Sequence, residues 1–92
     1  MLTIKWSSAF KRDYRKIKSG SRYQNIDSLL DPVLRVLATN QCALAERYLD
    51  HPLGGEWKGY RECHLRPDLL LIYQKSDEIL LLVRLGSHSE LF

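Results

Sequence analysis

The sequence is short of everything that marks a secreted, membrane-spanning or disordered chain. Its two cysteines, Cys42 and Cys63, stand 21 positions apart with no CxxC pair, a usage that suits a reducing cytosol and offers no obvious thiol nucleophile. No apolar run exceeds five residues (Leu69–Tyr73 and Ile79–Val83), against the roughly 20 that a bilayer span needs. The first residues, Met1-Leu2-Thr3-Ile4-Lys5-Trp6, meet charge at once and hold no apolar leader core, so export is not expected. A cytoplasmic protein with no membrane partner is expected. Three prolines, five glycines and no repeat or low-complexity tract leave no linker between domains. The 92 residues have room for one domain spanning 1–92, because two cores of half that size would each be marginal.

What is present is ordinary for a globular protein, with 45% hydrophobic and 27% charged residues. The charge, however, is unevenly placed. Through Arg22 there are seven basic residues and one acid, Asp13, whereas the remaining 70 positions carry seven basic and ten acidic ones. A net +6 head on a −3 body suggests a surface that meets a polyanion, nucleic acid first, through Lys11, Arg12, Arg15 and Lys16. A solvated helix face that keeps the protein soluble is the plain alternative.

Leu2, Ile4 and Trp6 alternate with polar residues and predict a short half-buried strand. Ser7 or Ser8 then caps a helix whose apolar positions Phe10, Tyr14 and Ile17 share one face and which ends near Gly20. A second amphipathic face runs from Tyr23 to Leu37, so an antiparallel helical hairpin is expected. Pro32 falls inside that face and predicts a kink or local rearrangement. Residues 38–59 read as a connector with a short turn of helix at Leu44 to Tyr48. Strands are predicted at Trp57–Leu65, Leu69–Gln74 and Glu78–Leu85, joined by Arg66-Pro67-Asp68 and Lys75-Ser76-Asp77 as an antiparallel meander. The two five-residue apolar runs read as central strands covered on both faces. Ser87–Phe92 is a tail with room for one helical turn. The fold class is thus α+β, in the order β-α-α-β-β-β.

His51, His64 and His88 are separated by 13 and 24 residues, with no close ligand pair, so neither metal nor cofactor is expected. Glu62 and His64, two apart on a strand, project from one face, while Cys63 and Leu65 project from the other. Arg84 interrupts an apolar strand in step with Leu80 and Leu82, and wants an anion, either a carboxylate such as Glu62 or a phosphate. Singly, each residue has a structural reading: Glu62 paired with Arg61 or Arg66, Asp68 holding its turn, His51 packing a loop, His88 capping the tail. Together, histidines, carboxylates and an arginine beside a basic helix are the parts for metal-independent RNA cleavage. That chemistry needs a base for a ribose 2′-OH, a cation for the charge on phosphorus and an acid for the departing 5′ oxygen. Histidine serves both proton transfers near neutral pH. Attack by the 2′-OH also selects RNA over DNA. Trp57, Tyr60 and Phe92 could stack bases, with a core role as the alternative for the first two.

Three stretches carry a family resemblance. They are Asp50-His51-Pro52-Leu53 with Gly55 through His64, then Arg66-Pro67-Asp68 through Tyr73, then Arg84-Leu85-Gly86-Ser87-His88-Ser89-Glu90-Leu91-Phe92. In these the sequence resembles the YafQ branch of the RelE/ParE toxin superfamily. The resemblance implies a RelE-like fold, with a helical hairpin packed on a mainly antiparallel sheet and a short C-terminal tail. It also implies the toxin of a type II toxin-antitoxin pair, an endoribonuclease that cuts mRNA in the ribosomal A site and is neutralised by a cognate antitoxin. Its functional positions correspond to His51, Glu62, His64, Asp68, Arg84, His88 and Phe92. On that basis His88 and Asp68 lie nearest the proton transfers, His51 and His64 extend the network, and Arg84 grips the scissile phosphate. Glu62 and Phe92 contact substrate. Other branches use lysines, arginines and a C-terminal tyrosine; Phe92 has no hydroxyl, which moves the chemistry onto histidine. The alternative is a ParE-like toxin that binds and poisons DNA gyrase without cutting.

Overall fold

The computed structural model describes residues 2–39 and 48–92. Strand β1 (Thr3–Trp6) leads into helix α1 (Ser8–Ser19) and helix α2 (Ile26–Ala38). Then come β2 (His51–Pro52), a 3-10 turn at Gly55–Trp57, β3 (Arg61–Arg66), β4 (Leu69–Lys75), β5 (Ile79–Gly86) and α3 (His88–Leu91). The five strands are ordered β1-β5-β4-β3-β2. All pairs are antiparallel except β1 with β5, so the sheet is mainly antiparallel, as expected.

Ser7 caps α1, its hydroxyl accepting the Phe10 N–H at 3.0 Å and donating to the Val83 carbonyl at 2.7 Å. One side chain therefore starts the helix and ties it to β5. Phe10 of α1 and Ile26, Leu30, Val33 and Leu37 of α2 bury one sheet face with Cys63, Leu65, Leu71, Tyr73, Leu80, Leu82 and Leu85. Each fully buried leucine or phenylalanine there contributes about 1.5–3 kcal/mol. The central strand β4 is buried from Leu69 through Tyr73 because its other face is also covered, by Leu53, Trp57, Tyr60 and Leu91 around Leu70 and Ile72. That second layer is thin, and it is where the site forms.

Three expectations need correction. The first strand is exposed along its length, with Ile4 at 38% and Trp6 at 36%, because it lies at the sheet edge; Trp6 leans edge-on against Phe10 and Tyr14. The connector holds a further strand, β2, and its 3-10 turn takes Trp57 out of the strand predicted at Trp57–Leu65, which starts at Arg61 after Gly59 turns the chain with φ 94°. Helix α2 continues through Pro32 as one helix, as its unbroken apolar face predicts; Pro32 is exposed, and the carbonyl that loses its helical partner belongs to exposed Ser28, where water can serve it. Lastly, the register slips between Ile72 and Tyr73, so Arg84 stands opposite Ile72 while Leu82 stands opposite Tyr73, and the alternation linking Arg84 to Leu80 and Leu82 is lost. Cys42 and most of the predicted turn at Leu44 to Tyr48 lie outside the described residues.

Candidate active site

Strand β3 sends Cys63 and Leu65 into the helix-covered core and turns Glu62 and His64 to the other face, as their spacing predicts. Strand β2 then sets His51 directly across from Glu62. The Glu62 side chain is 3% exposed; its Oε1 accepts from His64 Nε2 at 3.0 Å and lies 3.7 Å from His51 Nε2, and the two rings stand 6.3 Å apart. A carboxylate so enclosed requires a partner, and the His64 imidazole supplies its hydrogen bond. Glu62, expected to contact substrate, is enclosed behind the two histidines. Nor does it pair with Arg61, which donates to Asp50 at 2.9 Å.

A second group forms where β5 passes into α3. Asp68 accepts the backbone N–H of His88 at 3.1 Å, so the β3–β4 turn and α3 are joined. Ser87 caps α3 in a reciprocal capping box with Glu90, and buried Leu91 packs on Leu70 and Ile72. These contacts hold a four-residue helix that could not stand alone. His88 is exposed, with its ring 5.0 Å from Phe92; Phe92 in turn lies 6.0 Å from Trp57, which meets Tyr60 edge-on at 5.7 Å. His64 faces Leu70 and Leu70 faces Gly86 in register, so the two groups lie about two strand spacings apart, roughly 10 Å.

Arg84 is not in either group. Its Nε and Nη2 donate to Asp13 of α1 at 2.7 and 3.3 Å, and the same carboxylate accepts the Leu85 N–H at 3.1 Å. Donating to the Asp13 carboxylate raises the guanidinium pKa. The carboxylate partner suggested by the sequence is therefore present, but it is Asp13 and not Glu62. Lys11, Arg12, Arg15 and Lys16 are exposed on α1, and Lys16 reaches Glu90 of α3 at 3.4 Å, which brings the basic face to the rim of the second group.

Two participants, Asp13 and Asp50, had no signal in the sequence. Asp13 looked like an isolated acid in a basic helix, and no local signal ties it to a residue 71 positions away. Asp50, which joins Arg61 and Tyr73, was equally hidden. The capping box was legible, since Ser87-His88-Ser89-Glu90 carries its S-x-x-E spacing. Among the described residues no group of three or more His, Cys, Asp or Glu is arranged to hold a metal ion. No described helix is long and apolar enough to cross a membrane. The arrangement offers imidazoles able to take and give protons near neutrality, an aromatic edge on which a planar group can stack, and a cationic flank.

Comparison with known proteins gives a consistent result. The family model described as "Bacterial toxin of type II toxin-antitoxin system, YafQ" matches residues 2–92. The mRNA interferase toxin YafQ of Escherichia coli strain K12 is 36% identical over 89 residues, covering 97% of this chain and 94% of that protein. Among solved structures, a metal-bound toxin from Helicobacter pylori is 54% identical with a TM-score of 0.81, each chain covered in full. The E. coli DinJ-YafQ complex is 35% identical with a TM-score of 0.84, covering 100% of this chain and 99% of the other.

Proposed function

The chain belongs to the YafQ family of type II toxin-antitoxin toxins and is an mRNA interferase, and from that premise we propose that it cuts mRNA in the ribosomal A site through attack of a ribose 2′-OH on the adjacent phosphate. The observation that carries this reading is the placement of all three histidines on one sheet face: two share a buried carboxylate, and the third sits beside Asp68 and Phe92. His88, exposed at the start of α3, exchanges protons with the reacting oxygens, while Asp68 holds its backbone. His51 and His64 extend the network, with Glu62 hydrogen-bonded to His64 and facing His51. Phe92, 51% exposed, stacks a base of the message. Arg84 presents Nη1, the nitrogen outside its pair with Asp13, to the scissile phosphate. The basic face of α1 docks on ribosomal RNA, so the toxin works in the cytoplasm. A cognate antitoxin neutralises it, as the DinJ-YafQ pairing of the E. coli relative suggests. The family is YafQ and not ParE, which leaves the gyrase-poison alternative without support.

The test is cleavage of ribosome-bound mRNA by the wild type and by His88→Ala. The wild type should arrest growth and leave a 2′,3′-cyclic phosphate, or the 3′ phosphate derived from it, with a 5′-OH; His88→Ala should do neither. Undiminished cutting by the variant would refute the role of His88, and equal cutting of naked RNA would refute ribosome dependence. Loss of activity in chelator, restored by added metal, would overturn a metal-free mechanism. Replacing Lys11, Arg12, Arg15 and Lys16 with neutral residues should reduce the salt slope of ribosome binding by roughly 0.7–0.9 for each phosphate that is no longer neutralised.

A further inference from the structure

We propose that Asp50 is a positioning residue for His51, holding a strained turn at Leu49 whose carbonyl fixes the proton on His51 Nδ1; the proposal rests on the reading that His51 takes part in cleavage. Leu49 has φ 52°, the one positive value for a non-glycine among the described residues, and leucine gains little there because its side chain is 60% exposed. The His64 N–H pins one side of the turn by donating to the Tyr48 carbonyl at 2.6 Å, and the other side needs a holder of its own. Next to it, the Asp50 carboxylate is 9% exposed and accepts both from Arg61 Nε at 2.9 Å and from the Tyr73 hydroxyl. Burial raises the pKa of that phenol, which keeps its proton available to donate. Tyr73 is 1% exposed on the central strand, so the clamp is anchored in the buried middle of the sheet. Strand β2, two residues long at the sheet edge, could not set the geometry by itself.

The turn places the Leu49 carbonyl 2.8 Å from His51 Nδ1. A carbonyl can only accept, so Nδ1 carries the hydrogen. Nε2 then keeps its lone pair, 3.7 Å from Glu62 Oε1 and outside hydrogen-bond distance of it, free to accept a proton from a ribose hydroxyl. Without the clamp the turn relaxes, the carbonyl leaves, and the ring is free to place its hydrogen on Nε2, where it cannot act as a base.

The experiment uses the full chain with Asp50→Asn, and with Tyr73→Phe as the gentler variant should the first not fold. Nitrogen-15 NMR at pH 8 reads the His51 tautomer, and a ribosomal cleavage assay reads turnover. We expect a shift from Nδ1–H toward Nε2–H and a fall in kcat on the order of 10- to 100-fold with KM unchanged. Adding Leu49→Gly to Asp50→Asn should restore part of both signals, since glycine adopts the turn without a clamp. A wild-type tautomer in folded variants would overturn the proposal, as would a shifted tautomer with unchanged kcat. His51→Ala separates the two readings: full activity in that variant would refute the part assigned to His51 whatever Asp50 does to the ring.

Discussion

Asp13→Ala decides what Arg84 is for. The carboxylate receives Arg84 Nε at 2.7 Å, Nη2 at 3.3 Å and the Leu85 amide at 3.1 Å, and it is the charged tie between α1 and β5. Charge-assisted bonds contribute about 1.5–3 kcal/mol each, and leaving an amide without a partner costs about 1–3 kcal/mol. The Arg84 side chain is 28% exposed against 13% for Asp13, so solvent screens the ion pair and pulls its share toward the low end. The expected loss is about 2–4 kcal/mol for Asp13→Ala. Asp13→Asn, which keeps an accepting oxygen, should lose about 1 kcal/mol. At about 4–8 °C per kcal/mol, the alanine variant should melt roughly 10–25 °C below its parent. Urea unfolding in a His88→Ala background gives the measurement, and a double-mutant cycle with Arg84→Ala should return a coupling of at least about 1 kcal/mol. A loss below about 0.5 kcal/mol, the range of an ordinary surface substitution, would refute the tie. Cleavage by otherwise wild-type variants supplies the functional half. If Arg84 grips phosphate, Arg84→Ala abolishes cutting while Asp13→Asn retains it. Equal losses would reduce Arg84 to a strut.

Two further outcomes follow from groups with shifted titration. The Ser87 backbone N–H, then the Ser87 hydroxyl and Lys16, hold the Glu90 carboxyl below its ordinary pKa. The stability it contributes is therefore present above the unfolded pKa of about 4.3 and is lost as pH falls through the lower folded value. Acid should thus release α3 and quench or shift Trp57 fluorescence as Phe92 departs; Glu90→Gln should remove that component, and an identical acid profile would contradict it. Burial pushes the Cys63 thiol well above its ordinary range, so in a Cys42→Ser background it should resist alkylation at pH 8 until urea unfolds the chain. Labelling of Cys63 at the rate of a free thiol in native buffer would contradict the buried placement.

Local pattern was enough for much of the fold. Phe10, Tyr14 and Ile17 at helical spacing, Ser7 before them, and the apolar runs at Leu69 and Ile79 each carry their element in a few neighbouring residues, because helix and strand periods are properties of adjacent side chains. The same holds for the parity of Glu62 and His64 and for the capping box at Ser87 and Glu90. Strand β2 escaped because two residues have no period to read. The bulge near Val83 escaped because a slip in register is decided between strands, and it carried Arg84 out of the phase its own strand suggested.

The chain by itself determined an α+β class, a basic helix, and a carboxyl-terminal half in which histidines and acids gather, since composition, periodicity and motif spacing are written along it. Tertiary structure alone decided the partnerships. Asp13 holds Arg84 from 71 positions away, Asp50 reaches Tyr73 across 23, and Glu62 became the enclosed acid between two imidazoles instead of a surface contact. The physical reason is that a charge entering a folded interior must find an opposite charge or a hydrogen-bond donor within about 3 Å, and which group lies that close is set by how sheet and helices stack, not by order along the chain.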